Sequence, residues 1–212
     1  MLLVATLSLP ASAAAARFEA ELEAFARADA KSASPAGALL FVGSSTIRLW
    51  PSLARRFAPM PVIQRGFGGA TLADVRRHHE RLFLPHRPAG VILYAGENDI
   101  AEGAAAAEVV ARWRRLRAAL IGSAAGRAPL VFVDLKPSPA RAALWPRMRE
   151  VNGRMRELDE DAPAAFVATA GFVLDADGRP RPELFRDDGL HFNDRGYAQL
   201  TTAVRDALAG LR

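Results

Sequence analysis

The chain has 212 residues, half of them apolar and 24% charged, with a formal net charge of +5. That mixture and length suit one compact globular domain and exclude collagen-like, disordered and polytopic membrane proteins. The absence of cysteine also excludes disulfide scaffolds, thiol catalysis and Cys-ligated zinc.

Four histidines, His78, His79, His86 and His191, are too few for a His-rich metal centre, so no metal is expected. All but two of the 28 basic residues are arginine, the exceptions being Lys31 and Lys136. The arginines are scattered among Glu and Asp in helical stretches, not gathered into a stripe with interleaved aromatics. They read as a solvated face, with no nucleic-acid partner implied.

Met1 to Ala16 is uncharged and ends in small residues. At about 20 residues needed for a bilayer span it is too short to cross one. It resembles the apolar core and A-x-A cleavage zone of a secretory signal, with Ala11-Ser12-Ala13 as one site, although a positive leading segment is missing. The expectation is an exported protein, periplasmic or secreted, whose mature chain starts near Ala14 and has no stable membrane insertion. Without cleavage the segment is a floppy arm on a cytoplasmic protein. Residues 17–212 are then the folded domain.

Phe18, Leu22 and Phe25 recur at helical spacing, predicting a first amphipathic helix that ends before the loop SASPAG. Five apolar runs follow: Ala38 to Gly43, Pro61 to Gly69, Gly90 to Gly96, Pro129 to Pro137 and Ala164 to Phe172. Each is apolar on both faces, as strands of a buried parallel sheet are. Between and after them, helical periodicity marks Thr71 to Leu84, Ala104 to Ile121, Ala140 to Leu158 and Asp194 to Leu211. Strands separated by helices of this size form right-handed βαβ units, giving an α/β fold with an open parallel sheet covered on both faces.

Ligands of such sheets bind outside the carboxyl ends of the strands, and the polar and glycine-rich residues gather there. GSST follows the first run, GFGGAT the second, GEND the third and KPSPAR the fourth, while DDGLH lies between the fifth and the last helix. In Gly43-Ser44-Ser45-Thr46 a serine at a strand-to-helix turn is surrounded by free backbone N–H groups, which suit an oxyanion. An N-cap is the plainer use of such a residue.

Asp188 and His191 shift that balance. A carboxylate three residues before an imidazole can accept Nδ1–H and leave Nε2 facing outward, as a base able to activate serine requires. His78, His79 and His86 fall on or just after an arginine-rich helix and read as surface residues. Gly69 lets backbone N–H approach a substrate, and Asn98 offers a side-chain amide; a glycine turn and an Asx-turn are their plainer readings. Asp175-Ala-Asp177-Gly178 lacks the distal Glu of a calcium loop and reads as a β-turn. Trp50, Trp113 and Trp145 read as core or helix-packing residues.

FVGSSTIRLW, QRGFGGATLAD, LYAGENDIAEG and ELFRDDGLHFNDRGY resemble, in order, the sequence blocks of the SGNH (GDSL-like) hydrolase superfamily. They are most similar to its bacterial branch akin to platelet-activating-factor acetylhydrolase, from about Phe18 to the C-terminus. The resemblance implies a three-layer α/β/α flavodoxin-like fold with a five-stranded parallel sheet. It also implies ester or thioester hydrolysis through an acyl-enzyme, without metal or organic cofactor.

Carried over by motif, Ser45 is the nucleophile, Asp188 and His191 complete its triad, and Ser45 N–H, Gly69 N–H and Asn98 form the oxyanion hole. Two positions depart from the pattern: Ser44 replaces the usual Asp, which leaves Ser44 as a rival nucleophile, and Gln64 replaces the usual Asn. Arg141 borders the pocket and is expected to shape substrate choice. The expected substrate is a small-molecule or glycan ester with a short acyl or acetyl group. Carbohydrate O-acetylesterase, lysophospholipase or thioesterase action by the same residues, and a catalytically silent glycan-binding module, are the alternatives. Nothing in the sequence sets an oligomeric state.

Overall fold

The computed structural model describes residues 17–121, 128–158 and 164–211. The proposed signal segment, residues 1–16, lies outside them. The chain divides into two units, 1–33 and 34–212. In the first, the predicted amphipathic stretch forms a helix over Glu19–Lys31, with acidic residues in its first turn and Lys31 in its last, the arrangement that complements a helix dipole.

The second unit is built on a five-stranded, all-parallel sheet: β1 (Leu39–Gly43), β2 (Val62–Gly66), β3 (Gly90–Tyr94), β4 (Leu130–Val133) and β5 (Ala164–Val167). Its order is β2-β1-β3-β4-β5, with Gly43 in register with both Gly66 and Tyr94. The chain steps outward from β1 to β2, then crosses back to lay β3 on the other side of β1. Those two neighbouring strands leave in opposite directions through their connections, which opens a crevice at their carboxyl ends.

Every residue of β1 and β3 is buried, as a sheet covered on both faces requires. On one face Phe41 packs against Trp50 and Phe57, and Trp50 stacks on Tyr197 of the Asp194–Gly210 helix with ring centroids 5.5 Å apart. On the other, Trp113 of the Ala106–Ile121 helix meets Phe132 edge-on. Fully burying one such aromatic is worth about 3 kcal/mol.

Three expectations are corrected. The single helix over Thr71 to Leu84 is two, Leu72–Arg77 and His79–Phe83, broken at His78, which takes ψ 13° and packs at a T-shaped angle to Phe67. The helix over Ala140 to Leu158 begins as a 3₁₀ segment, Pro139–Leu144, with Arg141 out of helical geometry, and becomes α-helical over Trp145–Glu157. His78 and His86, read as surface residues, are buried; the His86 Nδ1 lies 2.6 Å from Ser34 Oγ, which supplies the polar partner a buried imidazole needs. His79, the third, is half-buried. Trp50 and Trp113 are core residues, while Trp145 is half-buried. Asp175 Oδ1 accepts the N–H groups of Asp177 and Arg179, so that segment is the expected turn.

Candidate active site

The turn that lifts Ser45 out of the sheet depends on Gly43. Its φ is +146°, and a Cβ there would collide with the Tyr94 carbonyl oxygen, the same oxygen that accepts the Ser44 N–H at 2.9 Å. Only glycine satisfies both conditions. The short Ser45–Arg48 helix starts immediately after Ser44, whose hydroxyl makes no capping bond. Gln64 of β2 donates its amide to Ile47 O at 2.6 Å, tying the carboxyl end of this helix to the sheet. Tyr197 donates its hydroxyl to Thr46 O at 2.9 Å from the opposite side.

The Asp188–His191 turn is held separately. Gly189 adopts φ +62°. Arg186 N–H donates to His191 O, Gly189 N–H to Arg186 O, and Phe185 bridges Phe192. Asn193 caps the Asp194–Gly210 helix by accepting the N–H groups of Arg195 and Gly196, while its own amide donates to Glu183 O and Phe185 O.

These two turns bring Ser45, His191 and Asp188 into one hydrogen-bonded line. His191 Nε2 lies 2.9 Å from Ser45 Oγ, and His191 Nδ1 lies 2.7 Å from Asp188 Oδ2. The other carboxylate oxygen accepts the backbone N–H groups of Leu190 at 2.8 Å and His191 at 2.9 Å. Desolvation pushes the Asp188 carboxyl up, but these hydrogen bonds, led by the His191 ring, outweigh it and hold the group well below the usual carboxylate range. It is Ser45 rather than Ser44 that faces the imidazole.

Asn98 follows β3 and donates its Nδ2 to Ala70 O at 3.0 Å, which places its amide beside the Gly69 turn, where φ is +75°. Arg141 reaches the same amide from the other side: both Nη1 and Nη2 donate to Asn98 Oδ1 at 3.1 Å. Ser45, Gly69, Asn98, Arg141 and His191 are all partly buried, and Asp188 is exposed.

Beneath them lies a charged cluster that sequence reasoning missed. Glu97 and Lys136 are buried; Lys136 Nζ donates to Glu97 Oε2 at 2.9 Å, and the Tyr94 hydroxyl donates to the same oxygen. Arg141 Nη1 stands 3.1 Å from the other Glu97 oxygen. Burial alone would raise the Glu97 carboxyl, but Lys136 and Arg141 bring it below its ordinary value, so it is ionised. The available signal was that one of only two lysines directly follows an apolar strand. Asp99 is buried too, accepting Leu72 N–H and Arg112 Nη1; desolvation raises its carboxyl against those bonds. Among the described residues no three His, Asp or Glu side chains group as a metal site, and no helix is long and apolar enough to cross a membrane.

Residues 34–199 match the GDSL-like Lipase/Acylhydrolase family, and the chain belongs to it, a family of hydrolases that act on ester bonds. Among solved structures, a Streptococcus pneumoniae protein described as a platelet activating factor is 19% identical, with TM-score 0.79 over 90% of this chain and 92% of that one. A GDSL-like lipase from Bacteroides thetaiotaomicron VPI-5482 is 18% identical, with TM-score 0.76 over 90% and 98%. The psychrotrophic esterase EstA from Pseudoalteromonas, in a structure inhibited by monoethylphosphonate, is 16% identical, with TM-score 0.62 over 82% and 97%. No curated protein matches this chain in sequence.

Proposed function

We propose that the protein is a serine esterase that cleaves small carboxylic esters through an acyl-enzyme on Ser45. The observation that carries this reading is the continuous line Ser45 Oγ, His191 Nε2, His191 Nδ1 and Asp188 Oδ2, with contacts of 2.9 and 2.7 Å. A serine hydroxyl is a weak nucleophile until a base within hydrogen-bond reach takes its proton, and a neutral imidazole oriented by a carboxylate is such a base.

As the Oγ–carbon bond forms, the hydroxyl proton passes to Nε2 and the carbonyl oxygen becomes an oxyanion. The N–H groups of Ser45 and Gly69, with the second Nδ2 hydrogen of Asn98, receive that charge. Ionised Asp188 stabilises the imidazolium without taking the proton. The intermediate collapses, the carbon–oxygen bond to the alcohol breaks, and Nε2–H protonates the departing alkoxide. Water then adds to the acyl–Ser45 ester, giving its proton to Nε2. Breakdown returns that proton to Oγ and frees the acid.

The substrates proposed are esters of acetyl or other short acyl groups. Export from the cytoplasm is proposed with this activity, on the composition of Met1 to Ala16. The test is hydrolysis of 4-nitrophenyl acetate by the wild type and Ser45→Ala, with fluorophosphonate labelling and peptide mapping. Turnover and labelling lost in Ser45→Ala support the reading. Equal rates in both proteins, or loss only in Ser44→Ala, overturn the assignment.

A further inference from the structure

Asn98 can serve an oxyanion only if its amide keeps one orientation, and the segment after β4 controls which. The carboxamide lies between two unlike groups. On one side the Ala70 carbonyl oxygen takes an N–H from Nδ2; on the other the Arg141 guanidinium gives two N–H groups to Oδ1. A flipped amide would set NH₂ against a cation and Oδ1 against a carbonyl oxygen, losing all three bonds. Two of the three come from a charged donor and are the stronger ones.

Arg141 is itself held in place. It leaves helical geometry within the Pro139–Leu144 segment at φ −124°, and its Nη1 stands 3.1 Å from buried Glu97, which Lys136 and the Tyr94 hydroxyl also bind. Lys136 Nζ lies 5.6 Å from the centre of the Phe192 ring, next to His191. Ala140 N–H donates to Gly189 O at 3.0 Å, inside the Asp188–His191 turn. Residues 136–141 therefore touch the amide on one side of the nucleophile and the carboxylate–imidazole turn on the other.

We propose that Arg141, seated on the buried Glu97–Lys136 ion pair, is a positioning residue that locks and polarises the Asn98 amide as an oxyanion donor. This rests on the esterase reading and assigns Arg141 a role through Asn98 in place of direct contact with substrate. Removing one oxyanion donor typically lowers the rate by about 10²–10³. A donor left in place but free to turn loses part of that, so Arg141→Ala lowers kcat roughly 10- to 100-fold and leaves KM within about threefold. Arg141→Lys keeps a cation beside Glu97 and loses the two-pronged grip on Oδ1, so it falls between Ala and wild type.

The deciding experiment is a cycle on 4-nitrophenyl acetate: wild type, Arg141→Ala, Asn98→Ala and the double variant, with thermal melts of each and Arg141→Lys as the variant that keeps the ion pair. If Arg141 acts through Asn98, its effect on kcat vanishes in the Asn98→Ala background, because there is no amide left to orient. An equal Arg141 effect in both backgrounds, or an effect confined to KM, overturns the positioning role and leaves the esterase reading intact. Wild-type kcat in Asn98→Ala overturns both Asn98 as oxyanion donor and the role of Arg141. Turnover independent of Ser45 defeats the underlying reading by itself.

Discussion

Asp188→Asn changes one atom and should nearly silence the enzyme. Asp188 Oδ1 accepts two backbone N–H groups, from Leu190 and His191, while Oδ2 faces His191 Nδ1. In the asparagine variant the carbonyl oxygen keeps the two backbone bonds, so the NH₂ group must face Nδ1. Nδ1 then has to accept, which puts the ring proton on Nε2, pointing at Ser45, where a lone pair is needed. Turning the amide restores the tautomer but gives up two hydrogen bonds of ~1 kcal/mol each and opposes NH₂ to two N–H donors, at a further ~1–3 kcal/mol.

A barrier of that size alone slows the reaction by about 10²-fold or more. Loss of the charge beside the imidazolium takes the expected fall in kcat to about 10³–10⁴. Hydrolysis of 4-nitrophenyl acetate across pH 6–8, with a thermal melt, measures this. The melt should fall only modestly, since the backbone bonds to Oδ1 are kept while the charged carboxylate that the native turn favours is lost. The wild type does not come to resemble the variant as pH falls, because its carboxyl is held well below the usual range. A variant within tenfold of wild type would refute the orienting role of Asp188.

Tyr197→Phe removes the hydroxyl that donates to Thr46 O and leaves a buried acceptor without its partner. It should cost ~1–3 kcal/mol in denaturant unfolding. Gly43→Ala, forced against the Tyr94 carbonyl at φ +146°, should lower both melting temperature and kcat; an unchanged kcat would separate Ser45 from that turn. Burial raises the Asp134 carboxyl from 3.8 to about 6, with Arg156 opposing the rise. Between those values the folded protein holds a proton that the unfolded chain has released, so this group makes the wild type lose stability as pH climbs through that window. The penalty, present in full above about pH 6, amounts to ~3 kcal/mol. Asp134→Asn should therefore unfold at higher denaturant than wild type at pH 7 and at the same concentration near pH 3.5; equal midpoints at both would refute it.

The strands and the edge where chemistry gathers could be read from the sequence because parallel strands are continuous apolar runs and their carboxyl ends carry the polar turns. Ser45, Asn98, Asp188 and His191 can be singled out as candidates because each lies just beyond an apolar run or in the polar loop before the last helix. Other features left no local trace. Thr71 to Leu84 stays in helical phase through His78, so periodicity cannot register the break there. Lys136 and Glu97 lie 39 positions apart, and each alone reads as a polar loop residue. A buried charge is tolerable only with its counterion in place, and that pairing arises from the sheet order and not from spacing. His86 was hidden likewise, since its partner Ser34 lies 52 residues away.

Ser45 and the imidazole it meets are 146 residues apart, and the imidazole comes from the last connection before the final helix. During synthesis the proposed nucleophile leaves the ribosome long before its proposed base does. All five strands precede that imidazole in the chain, so every strand is synthesised before the proposed proton acceptor. On the proposed mechanism, turnover therefore reports closure of the whole unit rather than local order, and a chain in which His191 is not yet placed is expected to be inert toward esters.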